Sequence, residues 1–225
     1  MIKVLKTFGP WGFEGAVYGM RMPYESWDRS DSGFDSDGNY EIGPKDIELA
    51  ISLIKGGSEH RKFMRDIHWQ VALLSPRYLL TELDTYRIGT TRNSSSTMHL
   101  ITKRPLTLDD FSYEDSMLTD EEKQAEVDKL NSYIRRYNEE TDKRKKRRWF
   151  LTIKKALPES FLQPALFDMN YEVLYRMYHQ RKNHRLPEWS GPDGLCHLIE
   201  QLPYMDRLLG LDFPEEDASG LKDSD

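Results

Sequence analysis

Apolar and charged positions alternate through "IKVLKTF" (residues 2–8), the period of a half-buried strand. "GAVYGMRM" from Gly15 offers a second strand, with a turn at Gly9-Pro10 between the two. From Pro44 the period becomes helical. Ile47, Ile51 and Ile54 share one face, Gly56-Gly57 supplies an ending, and a short helix follows from Ser58. "WQVALL" has the apolar run of a buried strand. Ser75-Pro76 then opens a helix as N-cap and first residue, and Leu80, Leu83 and Arg87 follow at helical spacing. Residues 119–149 predict one long helix with Val127, Leu130, Ile134 and Tyr137 on its seam. Asp168 is placed to cap a helix running to about His184, on which Asn170, Leu174, Met177 and Arg181 form one stripe. A last helix spans 193–209.

The polar stretches carry the candidate chemistry. Residues 28–43 form a loop rich in Asp, Ser and Gly. Asp35, Asp37 and Asn39 imitate a calcium loop, but Tyr40 occupies its glycine position and Asp46 its final glutamate. "YRIGTTRNSSSTMH" (residues 86–99) holds six Ser or Thr and two Arg, which suits either a connector or a phosphate-binding surface; composition alone favours the connector. Arg181, at the end of its stripe, either snorkels into water or faces a polar pocket. "KRKKRR" (residues 143–148) is read as a solvated helix C-terminus, where cations suit the dipole and balance Glu139, Glu140 and Asp142; the weaker alternative is a nucleic-acid accessory surface.

Composition narrows the classes. With 225 residues the chain suits one domain, 1–210, followed by an acidic tail, 211–225, expected to be disordered. The balance of 32 Lys and Arg against 38 Asp and Glu gives a net charge of -6, which argues against a general nucleic-acid binder. Cys196 is the single cysteine, so no internal disulfide framework exists, and its apolar surroundings suit a buried structural thiol. No signal peptide or apolar membrane span is apparent, so a cytoplasmic location is expected. Dinucleotide, P-loop and zinc motifs are absent, and the six His lack metal spacing.

With its motifs in order, the chain resembles the flavin-dependent thymidylate synthases from about Pro44 to His184. That family carries Arg-His-Arg, seven residues, then Ser; here Thr85-Tyr86-Arg87 precede Ser95 at that spacing. A Leu-Pro, an Asn opening a helix and a phosphate-binding Arg on that helix are matched in order by Leu157-Pro158, Asn170 and Arg181. The chain departs from the pattern at Thr85, Tyr86, Arg92, Asn93 and Thr97, and Lys154 stands where the family has Arg before Leu-Pro. The resemblance implies an α+β fold, a small mostly antiparallel sheet packed with helices, assembled as a homotetramer with sites at subunit interfaces. It implies a nucleotide phosphate held by Arg87, Arg92, Ser95, Lys154 and Arg181, with Tyr86 and Asn170 on the cofactor side. It implies dUMP methylation with FAD and methylenetetrahydrofolate; the alternative is a non-catalytic nucleotide-binding protein that kept the fold and lost the flavin.

Overall fold

The computed structural model describes residues 2–211; the tail expected from 211 onward lies, apart from Leu211, outside them. In chain order, β1 (Lys3–Trp11) leads into α1 (Phe13–Arg21), and a short antiparallel hairpin, β2 (Gly33–Phe34) with β3 (Tyr40–Glu41), precedes α2 (Pro44–Lys55). Next come β4 (His68–Pro76), α3 (Arg77–Leu83), β5 (Thr90–Ser94) and α4 (Thr97–Leu100). Two long helices, α5 (Asp120–Glu139) and α6 (Lys143–Ala156), are followed by β6 (Leu162–Asn170) and α7 (Tyr171–Arg181). Three short helices, α8 (Pro187–Ser190), α9 (Leu195–Glu200) and α10 (Met205–Leu209), complete the described chain. The fold is α+β, helices with a small antiparallel sheet whose strand order is β1-β4-β6-β5. Contacts divide the chain into two compact units, one containing the chain up to Thr7 with Gln70–Asp168, the other Phe8–Trp69 with the chain from Met169.

In the first unit β4 shows the strict alternation of a half-buried strand: Val71, Leu73 and Ser75 are fully buried while Gln70, Ala72 and Leu74 are only partly so. Its neighbour β6, unforeseen in the sequence, buries Ala165 and Phe167 on one face. Asp168 lies within this strand, accepting from Gln70 Nε2 at 3.1 Å, and is not the N-cap of α7. Val127, Leu130 and Ile134 of α5 meet Ile153 of α6 and Leu157 in one buried cluster with Ile101, Leu106 and Phe111. The single long helix expected over 119–149 is therefore two. Glu140 and Asp142 adopt extended backbone, and Asp142 caps α6 by accepting from the Lys145 amide at 2.8 Å. The chain is wholly polar between Tyr137 and Trp149, so nothing apolar anchors a continuous helix, and the three-residue connection lets α6 fold back onto α5. Consequently 143–148 opens a helix rather than closing one. Thr119 and Glu122 form a capping box at the start of α5.

Two further expectations change in this unit. Pro76 both ends β4 and serves as the N-cap of α3, so the proline sits one position earlier in the helix frame than the sequence suggested. The hydroxyl-rich segment is an edge strand, not a loop, because backbone pairing continues along β6: the Ser95 amide donates to the Pro164 carbonyl at 2.9 Å.

In the second unit "GAVYGMRM" is helical. Ala16, Val17 and Met20 fall on one buried face, a spacing that suits a helix, and β1 runs on through Gly9-Pro10 rather than turning there. Gly12 precedes α1 with φ 97°, and a Cβ on it would lie 2.0 Å from the Asp66 carbonyl oxygen, so only glycine fits. Asp35 tightens the β2–β3 turn by accepting from the Asp37 and Asn39 amides at 2.9 and 2.8 Å. Asn170, not Asp168, caps α7, accepting from the Val173 amide at 3.0 Å. The expected last helix breaks into α9 and α10 at Pro203 and Tyr204, the latter at φ 62°. Cys196 is buried as expected, and burial, with Glu200 adding, pushes its thiol up to about 12.

Asp46 is a buried carboxylate bonded at both of its oxygens. Its Oδ1 accepts from Arg21 Nε at 2.6 Å, and its Oδ2 accepts from the Ser30 and Ser32 hydroxyls at 2.6 Å each. Burial pushes this carboxyl up, but the two serines and Arg21 outweigh it and hold it below 3.8. Since the folded value lies below the unfolded one, the network stabilises fully above that ordinary value and is lost as pH falls through the lowered folded one. Asp46→Asn should therefore flatten the acid limb of a stability-versus-pH curve that wild type shows below about pH 4. In the first unit, Ile153→Ala should cost about 2–5 kcal/mol and Thr119→Ala about 1 kcal/mol, read from urea midpoints.

Candidate functional site

The first unit contains a cavity of about 520 Å³, within the range of small-molecule sites. Ser95, Ser96 and Thr97 form its hydroxyl wall, where β5 passes into α4. The wall is fixed through backbone: besides the Ser95–Pro164 bond, Gln163 Nε2 donates to the Ser95 carbonyl at 2.5 Å, which leaves the Ser95 hydroxyl out of the ladder. Leu74, Ile101, Leu106 and Phe161 contribute an apolar side. Lys103 and Arg104 also line it, as do Asp109 and Asp110; Arg104 is clamped by Asp110 through two bonds of 2.7 and 2.5 Å.

Lys154 sits at the edge of this wall. Its ammonium donates to the Thr97 hydroxyl. Burial pushes Lys154 down from 10.5 and the Arg77 guanidinium pushes it further. Arg77 itself donates to the Leu157 carbonyl at 3.2 Å and lies 3.6 Å from Glu159. Two cations beside hydroxyl donors, one of them partly desolvated and without a carboxylate partner among the described residues, make a spot that favours an anion.

The other expected site residues divide into groups. Arg87 and Arg92 both turn to Asp84 at the end of α3: Arg87 Nε donates to its carbonyl at 3.3 Å and Arg92 Nη1 lies 3.1 Å from its carboxylate. Helix α3 ends at Leu83, so Arg87 lies beyond the apolar stripe it was expected to finish. Neither arginine lines the cavity that Ser95 faces. In the second unit, Arg181 Nη1 lies 2.8 Å from His184 Nε2 and the guanidinium covers the Trp189 ring at 5.1 Å. Asn170 is 9% exposed and its carbonyl oxygen is taken by the cap of α7.

The sequence reading missed Arg77, Lys103, Arg104 and Asp110. Thr97 and Lys154 were visible as two separate departures from the family pattern; the structure joins them by a hydrogen bond.

A flavin needs an exposed planar surface and donors for its ring edges. Tyr86 is 6% exposed and Asn170 is committed to its helix, so the two residues expected on the cofactor side do not fit that group as placed.

The fold has clear counterparts. A crystal structure of thymidylate synthase X (ThyX) from Helicobacter pylori with FAD and dUMP superposes with a TM-score of 0.66 at 18% identity, covering 94% of this chain and 98% of that one. A second, of the flavin-dependent thymidylate synthase ThyX from the same organism complexed with FAD and dUMP, gives 0.65 at 19% identity with the same coverage. No protein-family model matches the chain, and no curated protein does. Among the described residues no helix is long and apolar enough to cross a membrane, and no group of His, Cys, Asp and Glu is arranged to hold a metal ion.

Proposed function

We propose that the chain binds a pyrimidine deoxynucleotide monophosphate, with dUMP as the first candidate, and acts as a thymidylate synthase-like methyltransferase. The observation that carries this reading is the Ser95–Thr97 wall with Lys154 beside it, in a fold shared along almost its whole length with proteins crystallised with dUMP. Ser95, Ser96 and Lys154 hold the phosphate in this reading: hydroxyls donate to its oxygens while the ammonium, costly to keep charged beside Arg77, gains a counter-charge. The apolar side of the cavity excludes water from the uncharged part of the ligand. Arg87, Arg92 and Arg181 remain phosphate candidates from the resemblance, each held at present by a partner of its own chain.

FAD would supply hydride chemistry and methylenetetrahydrofolate the carbon. The buried Tyr86 favours a second reading, a nucleotide-binding protein without flavin chemistry. An absorbance spectrum of the purified protein separates the two, since bound flavin colours it yellow and a colourless preparation that takes up no FAD leaves the binding reading alone.

We further propose a homo-oligomer, a tetramer first and a dimer second, in a cytoplasmic setting. The edge strand β1 supports assembly: Val4, Leu5, Phe8 and Trp11 are all 39–47% exposed, although its apolar-basic alternation suggested a half-buried strand. A sizing run at micromolar concentration should show more than the 26.5 kDa of one chain; elution as a monomer would speak against assembly.

Calorimetry with dUMP tests the phosphate site. Lys154→Met should weaken binding about 10-fold, a loss of about 1.4 kcal/mol for a half-exposed ion pair, while Lys154→Arg keeps most of it. Wild-type affinity should fall as pH rises through the lowered Lys154 value, below 10.5, as the ammonium is lost. Equal affinity of wild type and Lys154→Met would place the phosphate elsewhere. Arg181→Met is the parallel test of the phosphate role the resemblance implies: weaker dUMP binding is the expected result, read well below the unfolding midpoint because losing the Trp189 and His184 contacts should also lower the melting temperature.

A further inference from the structure

The basic run 143–148 opens α6, where the positive end of the helix dipole disfavours cations. Lys143, Arg144, Lys145, Arg147 and Arg148 are exposed, and none makes an ion pair among the described residues. The nearby carboxylates are used by backbone: Glu140 accepts from the Asp142 amide and Asp142 from the Lys145 amide. Arg135 and Arg136, at the end of α5, extend the same tip, so residues 135–148 hold eight Lys or Arg against three carboxylates in a chain of net charge -6. Self-repulsion of this kind costs stability, and an external anion would offset it.

We propose that the α5–α6 tip binds the phosphate backbone of double-stranded nucleic acid. Arg144, Arg147 and Arg148 share one face at i, i+3 and i+4, and the run 143–148 covers about 7.5 Å of helix, roughly two phosphate repeats along one strand of a duplex. A single strand would instead need free aromatic rings to stack its bases, and the rings here are already engaged. Trp149 stacks on Tyr133 at 6.0 Å and is covered by Arg136 at 5.1 Å, while Tyr137 is covered by Lys146 at 4.9 Å. Contact through backbone phosphates carries no base sequence, so binding is expected to be sequence-independent.

Fluorescence anisotropy of the full chain with duplexes of about 20 base pairs, one DNA and one RNA, tests this. With about four phosphates contacted, raising salt from about 50 to about 200 mM should weaken binding about 100-fold. The triple variant Arg144→Glu, Arg147→Glu, Arg148→Glu should lose at least about 100-fold, while replacing the same three by Lys preserves binding. The pair Arg144→Gln, Arg147→Gln should bind duplex more weakly yet melt no lower than wild type, since it relieves repulsion at the helix start; this separates loss of contact from loss of fold. Binding of either duplex with this pattern supports the proposal and the comparison of the two tells which it prefers. An unchanged affinity in the Glu variant, a single strand bound more tightly than duplex, or polyglutamate competing as well as duplex would each overturn it, the last pointing to an acidic protein partner. Binding of dUMP, which uses none of these residues, is read separately.

Discussion

The first unit depends on the burial of one face of its two central strands. Val71 and Leu73 of β4 and Ala165 and Phe167 of β6 are almost completely excluded from water, and these strands lie between β1 and β5 in the sheet. A slip of one residue in either would turn its apolar row outward, so their register is set by burial rather than by the turns at their ends. That register carries the site with it. Pro164, opposite Ser95, fixes where the hydroxyl wall stands, and Leu162 and Phe161 fix the apolar side facing it.

The site's electrostatics follow from position more than from charge count. A chain with a net negative charge still builds a cationic spot because Arg77, at the start of α3, and Lys154, in the last turn of α6, are brought together by packing around Ile153 and Leu157. The same packing desolvates Lys154, and this makes its ammonium responsive to an anion in a way that a fully hydrated surface lysine would not be. Arg104 shows the contrast: bonded twice by Asp110, it lines the cavity with its charge already matched.

Several elements were legible from sequence because local pattern and tertiary burial agree. The helix α2 buries Ile47 and Ile54 as its spacing predicts, and β4 is the apolar run "WQVALL" with its ends extended. Others failed for identifiable reasons. Ala16, Val17 and Met20 fit a strand or a helix equally in so short a window, and β6 contains Pro164 and three polar residues that hide a central strand. The division of α5 from α6 turns on Asp142, whose capping role is invisible beside a long run of helix-forming residues. For the site, spacing located Ser95, but Arg77 comes from a separate stretch and meets Lys154 only through the fold, and no motif marks Lys103 and Arg104 as lining the cavity.

Thr97 and Lys154 stand 57 positions apart in the chain and are joined by one hydrogen bond. Their contributions to the site are therefore not separable. Exchange at one position changes the environment that makes the other suitable: a guanidinium introduced at 97 alone would face the Lys154 ammonium across a distance now filled by a neutral hydroxyl, so substitutions at the two positions should not add.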